Sequence, residues 1–379
     1  MNIQTKNLKE NTIRISTVQF EDDFVGQLGE NGNNVKYDPI TGREYVYMSA
    51  NNVKNCMKQT FTTLSMESPL GYLNSGQQNF LKNLKETSGE SNAKEQAEVY
   101  TDISIFNPFH WVWGGFNPKD EEIKDKIYNK VNLKSLICTS ASKPLHMDFV
   151  STNKSLGVRR GKYTDTVTYK DKDKFISIDE IKDNKDYENI VNKTSNKSNI
   201  FESPKVGRGL YVNDYSINLN GFRYLDISNV SLKTEEKERL EKEGHEFAIV
   251  NNKLCLVVPI EIAIGLYELA VKSTYLWEPL SNNTSHVAHG EFIRTTFTLG
   301  DKSLLAQSIM GVKDNENVKA KINILTDKQI KDCQMYAFTS NNLKSYTYVD
   351  DTQVTCDVNA KQNAINKLIE LGTEILKSI

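Results

Sequence analysis

Two lysines one helical turn apart, Lys54 and Lys58, follow a serine at the point where the hydrophobic pattern of the chain changes period. Before it, Tyr45 and Tyr47 alternate with Val46 and Met48 as in a strand; after it, Val53, Met57 and Phe61 recur as on one side of a helix. Ser49 therefore sits where a helix N-cap belongs. The first turn of a helix presents N–H groups with no intrahelical acceptor, and the helix dipole favours a negative charge there. Ser49, Asn51 and Asn52 in that turn, with the full charges of Lys54 and Lys58 on one face, make a place for an anion. A row of such anions is a nucleic-acid backbone. A solvated helix face with a lysine pair has the same local pattern.

A second cationic stretch covers residues 143–163. Lys143, Lys154, Arg159, Arg160 and Lys162 are interleaved with His146, Met147, Phe149 and Tyr163, and only Asp148 opposes them. Cations that follow phosphates, with flat or flexible side chains to meet unstacked bases, suit single-stranded RNA. The alternative is a solvated loop with a few anchoring hydrophobes. Arg208 lies between Gly207 and Gly209, where small neighbours let a phosphate approach the backbone or simply form a turn. His286 and His289 could share a metal only with further ligands, and Glu291 is the one carboxylate near them; two exposed histidines at a turn is the simpler account. His110, Trp111 and Trp113 could stack on bases or pack an irregular segment. Glu21, Asp22 and Asp23, directly after the first expected strand, are the carboxylates that could hold Mg²⁺ for phosphodiester cleavage. The sequence has no Walker loop, metalloprotease helix, nucleophile elbow or dinucleotide fingerprint, so no catalytic residue, metal site or cofactor is expected.

These residues need elements to position them. Residues 12–20 alternate as a first strand, with Ile13, Ile15 and Val18 as inward positions, and a polar loop over 21–42 precedes the Tyr45 strand. Residues 61–130 read as helical and irregular, and 106–116 as neither helix nor strand but an insertion packed on the first domain. A strand is expected over 133–140. The Lys-, Asp- and Asn-rich stretch from 145 to 205 has too little apolar surface for a core of its own and reads as a protruding arm. Residues 211–220 alternate almost strictly. A charged helix follows at 232–243, a short apolar run at 254–258, and a helix after Pro259 that buries Ile262, Leu266, Leu269 and Ala270. Strands are expected at 292–299 and 318–325, a short helix at 302–310, and a C-terminal amphipathic helix with Ile365, Leu368, Ile369, Ile375, Leu376 and Ile379 on its stripe.

At 379 residues, 38% hydrophobic and 25% charged, the chain has ample material for a globular core. No apolar run approaches the ~20 residues of a membrane span, and the first twelve residues lack the apolar segment of a secretion signal, so a cytoplasmic protein without membrane contact is expected. Five scattered cysteines without a C-x-x-C pair speak against disulfides and zinc knots. A net charge of −2 confines any nucleic-acid affinity to a local groove.

The stretch Tyr47-Met48-Ser49-Ala50-Asn51-Asn52-Val53-Lys54, a short strand leading into a serine-started polar helix, resembles the N-terminal signature of the Cas-seven superfamily, closest in form to its DevR branch. These are the repeated backbone subunits of type I CRISPR interference complexes (Cascade). Asn, Cys and Met replace the family's usual aromatic-rich helix, which marks a divergent member. The resemblance implies an α+β fold: a ferredoxin/RRM-like palm with a helical finger insertion and a protruding thumb arm. On this chain it divides into palm at 1–60, finger at 61–130, a palm strand at 131–142, thumb at 143–206 and the remaining palm at 207–379. It further implies CRISPR guide RNA, target DNA through the guide, copies of the chain and other Cascade subunits as partners. RNA-binding positions would be Ser49, Asn51, Asn52, Lys54, Lys58, Lys143, Met147, Phe149, Arg159, Arg160, Lys162 and Arg208, with Met147 or Phe149 as wedges. Type III relatives cut RNA with a loop aspartate, so a metal-dependent ribonuclease using Asp22 or Asp23 is the alternative. An unrelated structural protein free of nucleic acid is a third.

Overall fold

The alternation of residues 12–20 places a long strand at the centre of the molecule. The computed structural model describes residues 4–24, 35–38, 43–66, 105, 107–117, 121–123, 126–128, 131–144, 151–153, 156–159, 169–171, 174–176, 199–202, 206–278, 290–300, 310–312, 333–340, 346–348 and 352–379. Its first part holds β1 (Gln4–Lys6), β2 (Thr12–Phe24), β3 (Val35–Asp38), β4 (Arg43–Val46), α1 (Ala50–Met66) and α2 (Pro108–Trp113). Short strands follow: β5 (Gly115–Asn117), β6 (Glu121–Ile123), β7 (Lys126–Tyr128), β8 (Val131–Leu133), β9 (Ile137–Thr139) and β10 (Lys143–Pro144). The next stretch contains β11 (Ser151–Asn153), β12 (Leu156–Arg159), β13 (Tyr169–Asp171), β14 (Lys174–Ile176), β15 (Asn199–Glu202) and β16 (Val206–Asn218). Then come α3 (Asn220–Arg223), β17 (Tyr224–Asp226), α4 (Thr234–Lys242), β18 (Glu246–Val250), β19 (Lys253–Val257) and α5 (Ile260–Leu276). The last elements are β20 (Glu291–Gly300), β21 (Met310–Val312), β22 (Gln334–Thr339), β23 (Tyr346–Tyr348), β24 (Gln353–Cys356) and α6 (Ala360–Ser378).

The main sheet runs β10-β16-β2-β20-β22-β24, with β9 and β11 also paired to β16. Strands β9, β10, β16, β2 and β20 are antiparallel to their neighbours, and α1 and α5 fall between β2 and β9 and between β16 and β20 in the chain. That succession, with the first strand between the third and the fourth, is the ferredoxin-like arrangement expected for the palm. Strand β24 extends it in parallel with β22. The fold is α+β.

One face of the sheet carries Ile13, Ile15, Tyr215, Ile217, Phe297 and Leu299, which join a single core with α1, α5 and α6. Val53, Cys56, Met57 and Phe61 are the buried stripe of α1, and Phe61 meets Trp113 edge-on at 5.8 Å. Between α5 and α6, Tyr267 donates its hydroxyl to the Leu368 carbonyl at 2.6 Å. Its ring lies so close to Gly372 that a Cβ there would stand 2.2 Å from it. A smaller sheet, β1-β18-β19-β17, joins residues 4–6 to a hairpin about 240 positions later.

Several expectations are corrected. Val18 is buried on the opposite face from Ile13 and Ile15, with Val212 and Ile293, because an odd step along a strand reverses the side-chain direction. The stretch 106–116 contains a regular helix, α2, started by Asn107, whose side chain accepts from the Phe109 N–H at 3.1 Å, with Pro108 at the favoured first position. Trp111, Val112 and Trp113 make it part of the core rather than a stacking surface. The described residues of 115–133 pair as β5 with β8 and β6 with β7, where a helical region was expected. The single strand expected over 133–140 is two, because β8 pairs with β5 and β9 with β16. The short helix at 302–310, the strand at 318–325 and His286 and His289 fall outside the described residues, except that Met310 opens β21.

Candidate nucleic-acid interface

Alternation in 45–48 buries Val46 and Met48 completely and leaves Tyr45 and Tyr47 half-buried. Met48 and Ser142 exchange two backbone hydrogen bonds, at 3.0 and 2.9 Å, which fasten the chain entering α1 to the edge of the main sheet beside β10. Strand β4 has ended at Val46, and Ser49 directly precedes the first residue of α1. The Ser49 carbonyl accepts the Val53 N–H at 3.0 Å, and its Oγ accepts the Asn52 N–H at 3.3 Å, so the expected N-cap is in place. Asn51 is exposed and Asn52 half-buried in the turn that follows.

Helix α1 has no acidic residue in its first turn, a feature it shares with α2, α3 and α6, whereas α4 and α5 carry Glu235, Glu236 and Glu261 there. The partial positive charge of the α1 N-terminus is thus not offset from within the helix. Lys54 and Lys58 are half-buried on one face. Burial pulls both ammonium groups below the usual lysine range, the charge of Lys58 lowers Lys54 further, and only the nearby Cys138 thiol acts the other way. Among the described residues no carboxylate contributes to either lysine. Lys36 adds another cation, its Nζ 4.3 Å from the centre of the Tyr47 ring.

Ser49, Asn51, Asn52, Lys54 and Lys58 thus follow one another along the first two to three turns of α1, Lys54 and Lys58 one turn apart. Lys143 joins them at the same sheet edge: it is exposed on β10, opposite Val212, and directly follows the bridge residue Ser142. Arg208 lies in β16 rather than in a turn, its backbone opposite Ser151, at a bulge between Gly207 and Gly209. Gly209 has φ +137°, which a side-chain-bearing residue rarely adopts. Arg159 ends β12, opposite Asn199. Met147, Phe149, Arg160 and Lys162 fall outside the described residues.

The acidic trio is not a loop. Strand β2 runs through Phe24, so Glu21, Asp22 and Asp23 lie within it, and Glu21 faces Gly209 across the ladder. Glu21 is only 3% exposed, one of its carboxylate oxygens has no hydrogen-bond partner among the described residues, and burial lifts its pKa to about 7. Nothing in the sequence foretold this, nor the position of Cys138 beside Lys54, because both depend on strands far apart in the chain.

Fold and edge together define an α+β protein with a ferredoxin-like palm and a cationic, serine-capped helix start on its border. No protein-family model and no curated protein matches the chain. Among solved structures it is similar to a chain of a "CRISPR RNA-guided surveillance complex, pre-nicking", at 7% identity over 95% of this chain and 100% of that one, with a TM-score of 0.46. It is also similar to a chain of a "CRISPR RNA-guided surveillance complex", at 8% identity over 94% and 99%, with a TM-score of 0.39.

Proposed function

We propose that this chain is a non-catalytic backbone subunit of a CRISPR Cascade complex, which binds guide RNA through the first turn of α1 and presents it for pairing with target DNA. The observation that carries the proposal is the lysine pair. Two half-buried lysines stand one helical turn apart on a helix whose first turn has no acidic residue, and the charge of Lys58 works against that of Lys54, an arrangement that a bound anion would stabilise. The Tyr47-Met48-Ser49-Ala50 signature and the ferredoxin-like strand order support the choice of anion. Specificity then resides in base pairing, and the protein reads the backbone by charge and shape. Lys143 and Arg208 continue the cationic path along β10 and β16. Residues 143–206, with Met147, Phe149, Arg159, Arg160 and Lys162, form the thumb that closes over RNA held by an adjacent copy.

The test is charge reversal. Lys54→Glu with Lys58→Glu, expressed with a CRISPR transcript, should yield folded protein free of RNA, read from the 260 to 280 nm absorbance ratio and from circular dichroism. RNA that still travels with the folded double variant overturns the proposal.

A further inference from the structure

Alternation decides where the side chains of residues 45–48 go. Val46 and Met48 turn inward, and each is fastened through its backbone: the Val46 carbonyl accepts the Tyr211 hydroxyl at 3.3 Å, and Met48 is bridged to Ser142. Tyr45 and Tyr47 are therefore directed to the other side, where both are half-buried and their rings meet edge-on, 6.4 Å between centres. The β3–β4 hairpin brings a cation to them. Lys36 stands opposite Tyr45 in the ladder, is exposed, and holds its Nζ 4.3 Å from the centre of the Tyr47 ring. Two aromatic rings and an ammonium group thus share one side of a segment whose other side is anchored in the core.

The neighbouring element narrows what this surface can take. Tyr47 precedes the cap residue Ser49 by two positions, at most about 7 Å of chain, so the rings and the first turn of α1 lie within the reach of one nucleotide. Phe61, Trp111 and Trp113 have no such access, because they are buried in the core. Every base has a flat face that an aromatic ring can meet, and cations beside the ring suit the phosphate of the same nucleotide. An ammonium group on an exposed ring is held more weakly than a stacked base. A base that settles on Tyr47 therefore displaces Lys36, whose flexible stem and three N–H donors let it follow the phosphate. Because the chain is tied down on both sides of Tyr47, little ordering remains to be done on binding. We infer that Tyr47, with Tyr45 at its edge, stacks one base of a single-stranded nucleic acid whose phosphate rests on the first turn of α1. The inference rests on the reading of α1 as the strand-binding turn and adds a base contact to what is otherwise backbone recognition.

Fluorescence anisotropy of the full chain with labelled oligo(A), and with a ribose–phosphate strand of equal length that lacks bases, tests it. The native chain should bind oligo(A) about tenfold more tightly than the abasic strand. Tyr47→Leu should remove that difference and leave the abasic strand bound as before, whereas Tyr47→Phe, which keeps the ring, should retain it. Lys54→Glu with Lys58→Glu should weaken both strands alike, because it acts on phosphates. Irradiation of the native chain with a 5-iodouridine oligonucleotide should cross-link the peptide that carries Tyr45 and Tyr47, a readout independent of how any variant folds. Equal affinity of the native chain for the two strands, a preference that survives in Tyr47→Leu shown folded by circular dichroism, or cross-links confined to other peptides overturns the inference while the α1 reading stands. Undiminished binding of both strands by the double lysine variant overturns the α1 reading and the inference together.

Discussion

Replacing Glu21 by glutamine should remove a pH dependence from the stability of this protein. The Glu21 carboxyl is buried at the β2–β16 ladder, and its pKa is lifted from 4.5 to about 7 by desolvation. In the unfolded chain the group loses its proton near pH 4.5, whereas the folded protein holds it until about pH 7. Between those values the native state binds more protons, so stability falls as the pH rises through the window and levels off above it. The separation between 4.5 and about 7, at about 1.36 kcal/mol per pH unit, sets an upper bound of roughly 3–4 kcal/mol of instability at pH 8. Glutamine has the same shape and no charge to desolvate. Glu21→Gln should therefore match the native protein near pH 4.5 and become progressively more stable up to pH 8. At about 2–4 °C per kcal/mol, the melting temperature at pH 8 should rise by several degrees. Thermal melts followed by circular dichroism at pH 5, 6, 7 and 8 measure this directly. If the two melting curves stay parallel across the series, or glutamine melts lower at pH 8 than at pH 5 relative to native, the burial argument is wrong.

Substitutions at three further positions probe the site and its support. Ser49→Ala removes the α1 cap and should cost about 1 kcal/mol in urea unfolding while weakening RNA retention; Ser49→Asp should restore the stability but not the RNA, since it adds an anion where one is to bind. Lys58→Met removes a half-buried charge next to another, so it should leave the melting temperature unchanged or raised and yet weaken RNA binding in a filter assay; a lower melting temperature would contradict the electrostatic account. Gly372→Ala would set a Cβ 2.2 Å from the Tyr267 ring and displace its hydroxyl from the Leu368 carbonyl, and should cost about 2 kcal/mol or more in urea unfolding.

Much of the architecture was legible in residue order because its signals are local. Near-strict alternation in 211–220 marked β16, the run at 292–299 marked β20, the stripe Ile365, Leu368 and Leu376 marked α6, and Pro259 marked the start of α5. The change of period at Ser49 located the cap of α1 to the residue. Each of these is written in the spacing of neighbouring side chains, which is all that strand pleat and helical pitch require. Helix α2 was missed because six residues are too few to show a period, and Val18 was assigned to the wrong face because burial on both sides of a sheet hides the alternation.

What the chain determined alone, then, is where backbone conformation changes and which side chains of an element share a face. Tertiary structure decided the rest: that β2 lies between β16 and β20, that Met48 is tied to Ser142, and that Glu21 is held nearly neutral. The reason is physical. Pitch and capping arise from atoms a few bonds apart, whereas strand order and the desolvation of a charge depend on groups that come together only after loops of up to more than two hundred residues have closed.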